Sequence, residues 1–160
     1  MYKIILASAI TMSCVGCASI VNETTQPVKL ETADAGGKLI NGAACKLTND
    51  YGVVTTSSGN TAQVHRSNKD LEITCTSTEN PDATARAISR ANAGLAGNIL
   101  IGGGIGAVVD HARGTAYTYP TWVRLVFGKS LVFDRRAEKD GSPVVGVDEG
   151  AKEKIEVAKK

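Results

Sequence analysis

Few side chains in this sequence are equipped for chemistry. Two histidines, His65 and His111, supply the bases that titrate closest to neutral pH. Neither has a nucleophile beside it in sequence, so a catalytic pairing would require distant residues to converge. Asp110 and His111 together offer an acid–base pair or half a metal site, but no third ligand is evident, and a turn residue beside a surface histidine is the expected reading. Gly102-Gly103-Gly104 followed by Ala107 has the G-x-G-x-x-A spacing that lets a backbone approach a pyrophosphate. No strand–helix–strand pattern surrounds it, and no acidic residue follows about twenty positions on to hold a ribose. Neither Cys45 nor Cys75 has a Cys or His nearby at zinc-ligand spacing. The expectation is no enzyme, no cofactor, no metal and no small-molecule substrate. What remains is the chemistry of four thiols, and an aromatic group of Tyr117, Tyr119, Trp122 and Phe127. Tyr117, Tyr119 and Trp122 could line a sugar-binding or peptide-binding surface; strand residues packing on a core are the plainer reading.

The first thiols sit in an N-terminal stretch of distinct composition. Met1-Tyr2-Lys3 is a short positive start, and Ile4 to Val15 is an apolar run of about a dozen residues, the length of an export signal and too short to span a bilayer. Val15-Gly16-Cys17-Ala18-Ser19 then resembles the lipobox of bacterial lipoproteins. The resemblance implies removal of residues 1–16 and a diacylglycerol on the Cys17 thiol. That family retains proteins at the inner membrane with an Asp after the lipidated Cys, so Ala18 implies the outer membrane, with the protein facing the periplasm. An ordinary secretory signal cut nearby, leaving a soluble periplasmic chain, is the alternative. Each buried methylene contributes about 0.8 kcal/mol, so a single acyl chain binds marginally and several make attachment effectively permanent.

With Cys14 removed and Cys17 acylated, Cys45 and Cys75 are left as one pair in an oxidising space, and a disulfide is expected; two separately buried thiols are the alternative. Strand phase agrees with a bridge. Ala43, Cys45 and Leu47 fall on one face of an alternating stretch, and Leu71, Ile73 and Cys75 on one face of another. Closing a loop of roughly 30 residues would contribute about 3–4 kcal/mol.

These cysteine strands must be positioned by others like them. Val28, Leu30 and Thr32 alternate with Lys29 and Glu31; Val53 to Thr56 and Thr61 to His65 are further extended runs; turn residues punctuate the chain about every ten positions. Thr115 to Phe127 returns to strand composition. Low aromatic content (4%) leaves Val, Ile, Leu, Ala and Cys to build the core. Pro81 to Ala96 differs: its alanines, with Arg86 and Arg90 four apart, predict an amphipathic helix beginning near Asp82. The Gly-rich segment 95–109 predicts a helix or helix-to-strand connection packed tightly on the sheet. Gly102 and Gly106 alternatively form a G-x-x-x-G contact for self-association or membrane approach.

The expected fold is therefore mainly β with one helix, a small antiparallel sandwich or barrel plus a Gly-rich helical segment. Its organisation runs from a signal peptide (1–16) and a polar tether (17–26) to a β-rich domain (27–133) and a flexible charged tail (134–160), which is solvated or a frayed helix. The formal charge of +2, without basic runs interleaved with aromatics, does not suit nucleic acid.

Gly16-Cys17-Ala18-Ser19-Ile20-Val21, Thr24-Thr25-Gln26, Gly97 to Gly103, and Val109-Asp110 through Gly114, Ala116 and Tyr119-Pro120 together resemble a family of small Gram-negative outer-membrane lipoproteins. The likeness spans residues 1–127. It implies an outer-membrane anchor, a sandwich similar to PEGA-type surface modules, and no enzyme. The expected function is a lipid-anchored structural or interaction module of the cell envelope, accessory to an envelope assembly. A membrane-active or self-associating protein using the Gly-rich segment is the alternative.

Overall fold

The computed structural model describes residues 24–91 and 115–150. The period-2 pattern becomes the strands β1 (Thr25–Ala33), β2 (Leu39–Ile40), β3 (Ala44–Asn49), β4 (Gly52–Ser57), β5 (Thr61–His65) and β6 (Leu71–Thr76). They are followed by β7 (Ala83–Ala87), β8 (Arg90–Ala91), β9 (Tyr117–Thr118), β10 (Trp122–Val126), β11 (Ser130–Phe133) and β12 (Val147–Asp148). Among the described residues helical conformation is confined to a 3₁₀ turn, Arg135–Ala137, and to Glu149 and Gly150.

β1 is long enough to serve two partners on one side, β5 along its first half and β2 along its end, with β10 on the other side. The second sheet runs β12-β11-β7-β6-β3-β4, and β8 pairs with β9 separately. Val28 and Leu30 of β1, Ala62 and Val64 of β5, and Val123 and Leu125 of β10 meet Leu47, Leu71, Ile73, Leu131 and Phe133 of the second sheet in one core. The arrangement is a sandwich. Its sheets are mixed and not antiparallel throughout: β1 pairs with β10, and β7 with β11, in parallel. A parallel pair needs a crossover of a dozen residues or more, and residues 88–129 supply one between β7 and β11.

Cys45 and Cys75 lie directly opposite one another on β3 and β6 and are joined by a disulfide, with Cα atoms 4.1 Å apart. They are 2% and 0% exposed, so the bridge sits inside the apolar core.

The helix expected over Pro81–Ala96 does not form where that stretch is described. Ala83, Ala85 and Ala87 are buried at alternating positions of β7, with Thr84 and Arg86 on the opposite face. Alanine favours helix only weakly, and packing between β6 and β11 overrides it. Arg86 and Arg90 do not share a helix face: Arg86 pairs with Asp70 and Glu149, and Arg90 with Asp134. The Gly-rich segment 95–109 lies outside the described residues.

The boundaries expected at both ends of the domain also shift. Thr25 and Gln26, read as tether, begin β1. Asp134, read as the start of a free tail, caps the 3₁₀ turn and receives two hydrogen bonds from Arg90, at 2.6 and 3.2 Å. Val144 is 2% exposed; its N–H donates to the Trp122 carbonyl at 2.8 Å, and Val147 pairs with Val132. Between them Gly146 passes over the Phe133 ring, where a Cβ would lie 2.7 Å from the nearest ring carbon. The folded unit thus extends into the segment whose charge pattern predicts a tail, because its few aliphatic residues lock across the edges of both sheets.

Candidate functional site

At one end of the sandwich the β3–β4 turn docks on the loop after β5. Asn49 donates its amide to the His65 carbonyl (2.8 Å) and to the Tyr119 hydroxyl (3.2 Å), while its own Oδ1 accepts from the Tyr51 N–H (3.0 Å). The Tyr119 hydroxyl in turn donates to the Lys69 carbonyl at 2.8 Å. Ser67, itself buried, donates to Asp50. The Tyr51 and His65 rings stack with centroids 3.8 Å apart. At the far side of Tyr119, the Gln26 side chain acts as a surrogate strand: its Oε1 accepts from the Tyr119 N–H (2.9 Å) and its Nε2 donates to the Tyr119 carbonyl (3.1 Å). Burial pushes the Tyr119 phenol above its ordinary pKa, with hydrogen bonds to Asn49 and Ser67 pulling the other way. It stays protonated, and its chemistry is that of a structural donor.

This decides the aromatic group. Tyr119 is fully buried and Phe127 lies in the core, so the plainer reading holds for both. Tyr117 and Trp122 are half-buried. Trp122 stands in register with Lys29 on the outer face of the first sheet, and the Lys29 ammonium lies 3.8 Å from its ring centroid, a cation–π contact. One register step along, Glu31 pairs with Arg124 (2.8 Å) and with Lys29 (3.3 Å). Burial raises the Glu31 carboxyl, but Arg124 and Lys29 outweigh it and hold the pKa below its ordinary value. Among the described residues, the Arg66 Nε–H and the Trp122 indole N–H are buried without a hydrogen-bond partner.

On the outer face of the second sheet Arg86 bridges Asp70 and Glu149, both at 3.2 Å. Glu72, cross-strand from Arg86, has its carboxyl raised by burial and by neighbouring Glu149 and Asp70, against the pull of Arg86. A cleft of about 500 Å³ lies between Ile40–Ala44 and Thr76–Thr78, offering hydroxyls, an amide and backbone groups but no ionisable side chain. Among the described residues no three His, Cys, Asp or Glu side chains gather where a metal could be held, and no helix is long and apolar enough to cross a membrane.

Of the residues singled out from sequence, Cys45 and Cys75 are brought together, while Tyr117, Tyr119 and Trp122 do not form one exposed surface. Cys17, Gly102, Gly106, Asp110 and His111 lie outside the described residues. Sequence reasoning missed Gln26 and Asn49. Gln26 had a signal: it stands two and four residues before Val28 and Leu30, in phase with the buried face of β1. No protein-family model, no curated protein and no solved structure matches this chain.

Proposed function

We propose that this protein is a lipid-anchored lipoprotein of the Gram-negative cell envelope, of the small outer-membrane lipoprotein family it resembles. Acyl chains on Cys17 hold it to the periplasmic face of the outer membrane, and its sandwich serves as a structural or interaction module, accessory to an envelope assembly. It is not an enzyme. The observation that carries this reading is the division among the cysteines. Cys45 and Cys75 are bridged within the core, which fits an oxidising compartment, and Cys17 remains at the end of an export-type apolar run as the thiol available for lipid. β1 begins at Thr25, eight residues after Cys17, a distance the chain can cover by at most about 28 Å when fully extended. The module would therefore work close to the membrane surface.

Intact mass and fractionation of membrane-extracted wild type beside a Cys17→Ser variant test the reading. The expected result is an acylated chain beginning at Cys17 in the outer-membrane fraction, lost in the variant. An unmodified chain in the soluble periplasm overturns it.

A further inference from the structure

The strands bordering the two sheets are not equally protected. β2 and β12 are two residues long. β10 takes the Val144 bridge along its free side, and the His65 carbonyl at the end of β5 is occupied by the Asn49 amide. β4 is the longest of these border strands, and among the described residues it pairs only with β3. Natural sheets blunt such an edge with lysine, proline or a bulge, because its outward N–H and C=O groups are a template for another strand. β4 has none of these: Gly-Val-Val-Thr-Thr-Ser contains no ionisable side chain and no proline, and it pairs residue for residue with β3.

Burial points the same way. The inward positions of β3 and β6, such as Cys45, Leu47, Leu71 and Ile73, are buried, whereas Val54 and Thr56, the corresponding positions of β4, stay half-exposed. On the outer face Val53 is 53% exposed. Among the described residues the core is thus open along one strand, and what would close it is a further strand laid beside β4.

We infer that this strand is β4 of a second copy of the chain, paired antiparallel about a twofold axis at Val54. Residues paired across two strands share a face, so a twofold at Val54 places Val53 opposite Thr55 of the second copy and Val54 opposite itself. β-branched residues meet β-branched residues on both faces, and no like charges stand opposite one another. The nearest cation on that face is Lys46, opposite Thr55 on β3. Three strand spacings separate it from its counterpart, about 14 Å, which exceeds the Debye length at physiological salt. The two six-stranded sheets become continuous, and the half-buried Val54 gains cover.

A single strand edge buries less than a standard stable interface, so the dimer forms as concentration rises; confinement to a membrane would raise the effective concentration further. The pairing itself does not depend on the anchor. A measurement on detergent-solubilised protein therefore separates this inference from the proposed location.

The test is sedimentation of the full chain in detergent across a concentration series, with hydrogen exchange of the β4 amides at each concentration. Association accompanied by growing protection of Val53 and Thr55 is the expected result. Val53→Lys with Thr55→Lys places like charges opposite twice across the twofold and should weaken the dimer about tenfold. Val53→Lys with Thr55→Glu places opposite charges there and should restore it, while Val145→Lys, at an exposed site elsewhere, should change nothing. A chain that stays monomeric at every concentration overturns the inference. So does association that leaves β4 unprotected, or equal loss in both double variants.

Discussion

The middle of the second sheet and the Tyr119 end of the sandwich are both buried, and they are held in opposite ways. In the first, Cys45 and Cys75 are linked covalently among Leu47, Leu71, Ile73 and small alanines, and no polar side chain is asked to find a partner. In the second, Gln26, Asn49, Ser67 and Tyr119 are fixed by hydrogen bonds that each satisfy a buried group. Volume and shape constrain the first region, whereas in the second each lost partner leaves a buried polar group unsatisfied. A covalent link limits the unfolded ensemble, whereas a buried polar network specifies the native arrangement.

The largest expected effect comes from opening the bridge. Cys45→Ser should lower unfolding stability by about 3–4 kcal/mol under oxidising conditions, and reductant should have the same effect on wild type. Denaturant unfolding measured with and without reductant checks both. A chain equally stable when reduced would show that the apolar region carries itself.

Gln26→Ala comes next. It strands the Tyr119 N–H and carbonyl in the core, and a loss of about 2–3 kcal/mol is expected. Tyr119→Phe keeps the ring and removes only the hydroxyl, so its loss should be smaller, about 1–2 kcal/mol. If the two substitutions cost the same, the network does not act as a set of separate satisfied bonds.

A fourth substitution probes the segment that crosses both sheets. Gly146→Ala drives a methyl into the Phe133 ring, with an expected loss of about 1–3 kcal/mol and faster hydrogen exchange at Val144 and Val147. Unchanged exchange there would mean that the ring yields and the segment stays seated.

The smallest effect is electrostatic. Glu31 and Asp134 have carboxyl pKa values lowered by their cationic partners, so each binds fewer protons folded than unfolded. Their contribution is complete above the ordinary carboxylate range and disappears as pH falls through the lowered folded values. Glu31→Gln should flatten the acid limb of a stability–pH curve by less than about 1 kcal/mol, the usual scale for pairs this near the surface.

Much of the sandwich was legible from residue order. The inward faces of β1, β3 and β6 follow the alternation of Val28 and Leu30, of Cys45 and Leu47, and of Leu71, Ile73 and Cys75. The cysteine pairing was legible as well, since both thiols point inward from strands. β7 was not, because alternating alanines carry too little hydrophobic contrast to oppose their helical preference. Nor was the segment after Asp134, where scattered Val144, Gly146 and Val147 sit among charges and show no period.

The sequence alone determined which side of each well-patterned strand faces inward, because alternation is a local property of an extended chain and needs no partner to be read. Only the tertiary structure decided which strands are neighbours, which borders are covered and which polar groups are satisfied. Gln26 finds its partner 93 residues away, and neither position announces the other. Such pairings are selected by the packing of the two sheets as a whole, where every buried donor must meet an acceptor that the fold, and not the local sequence, brings to it.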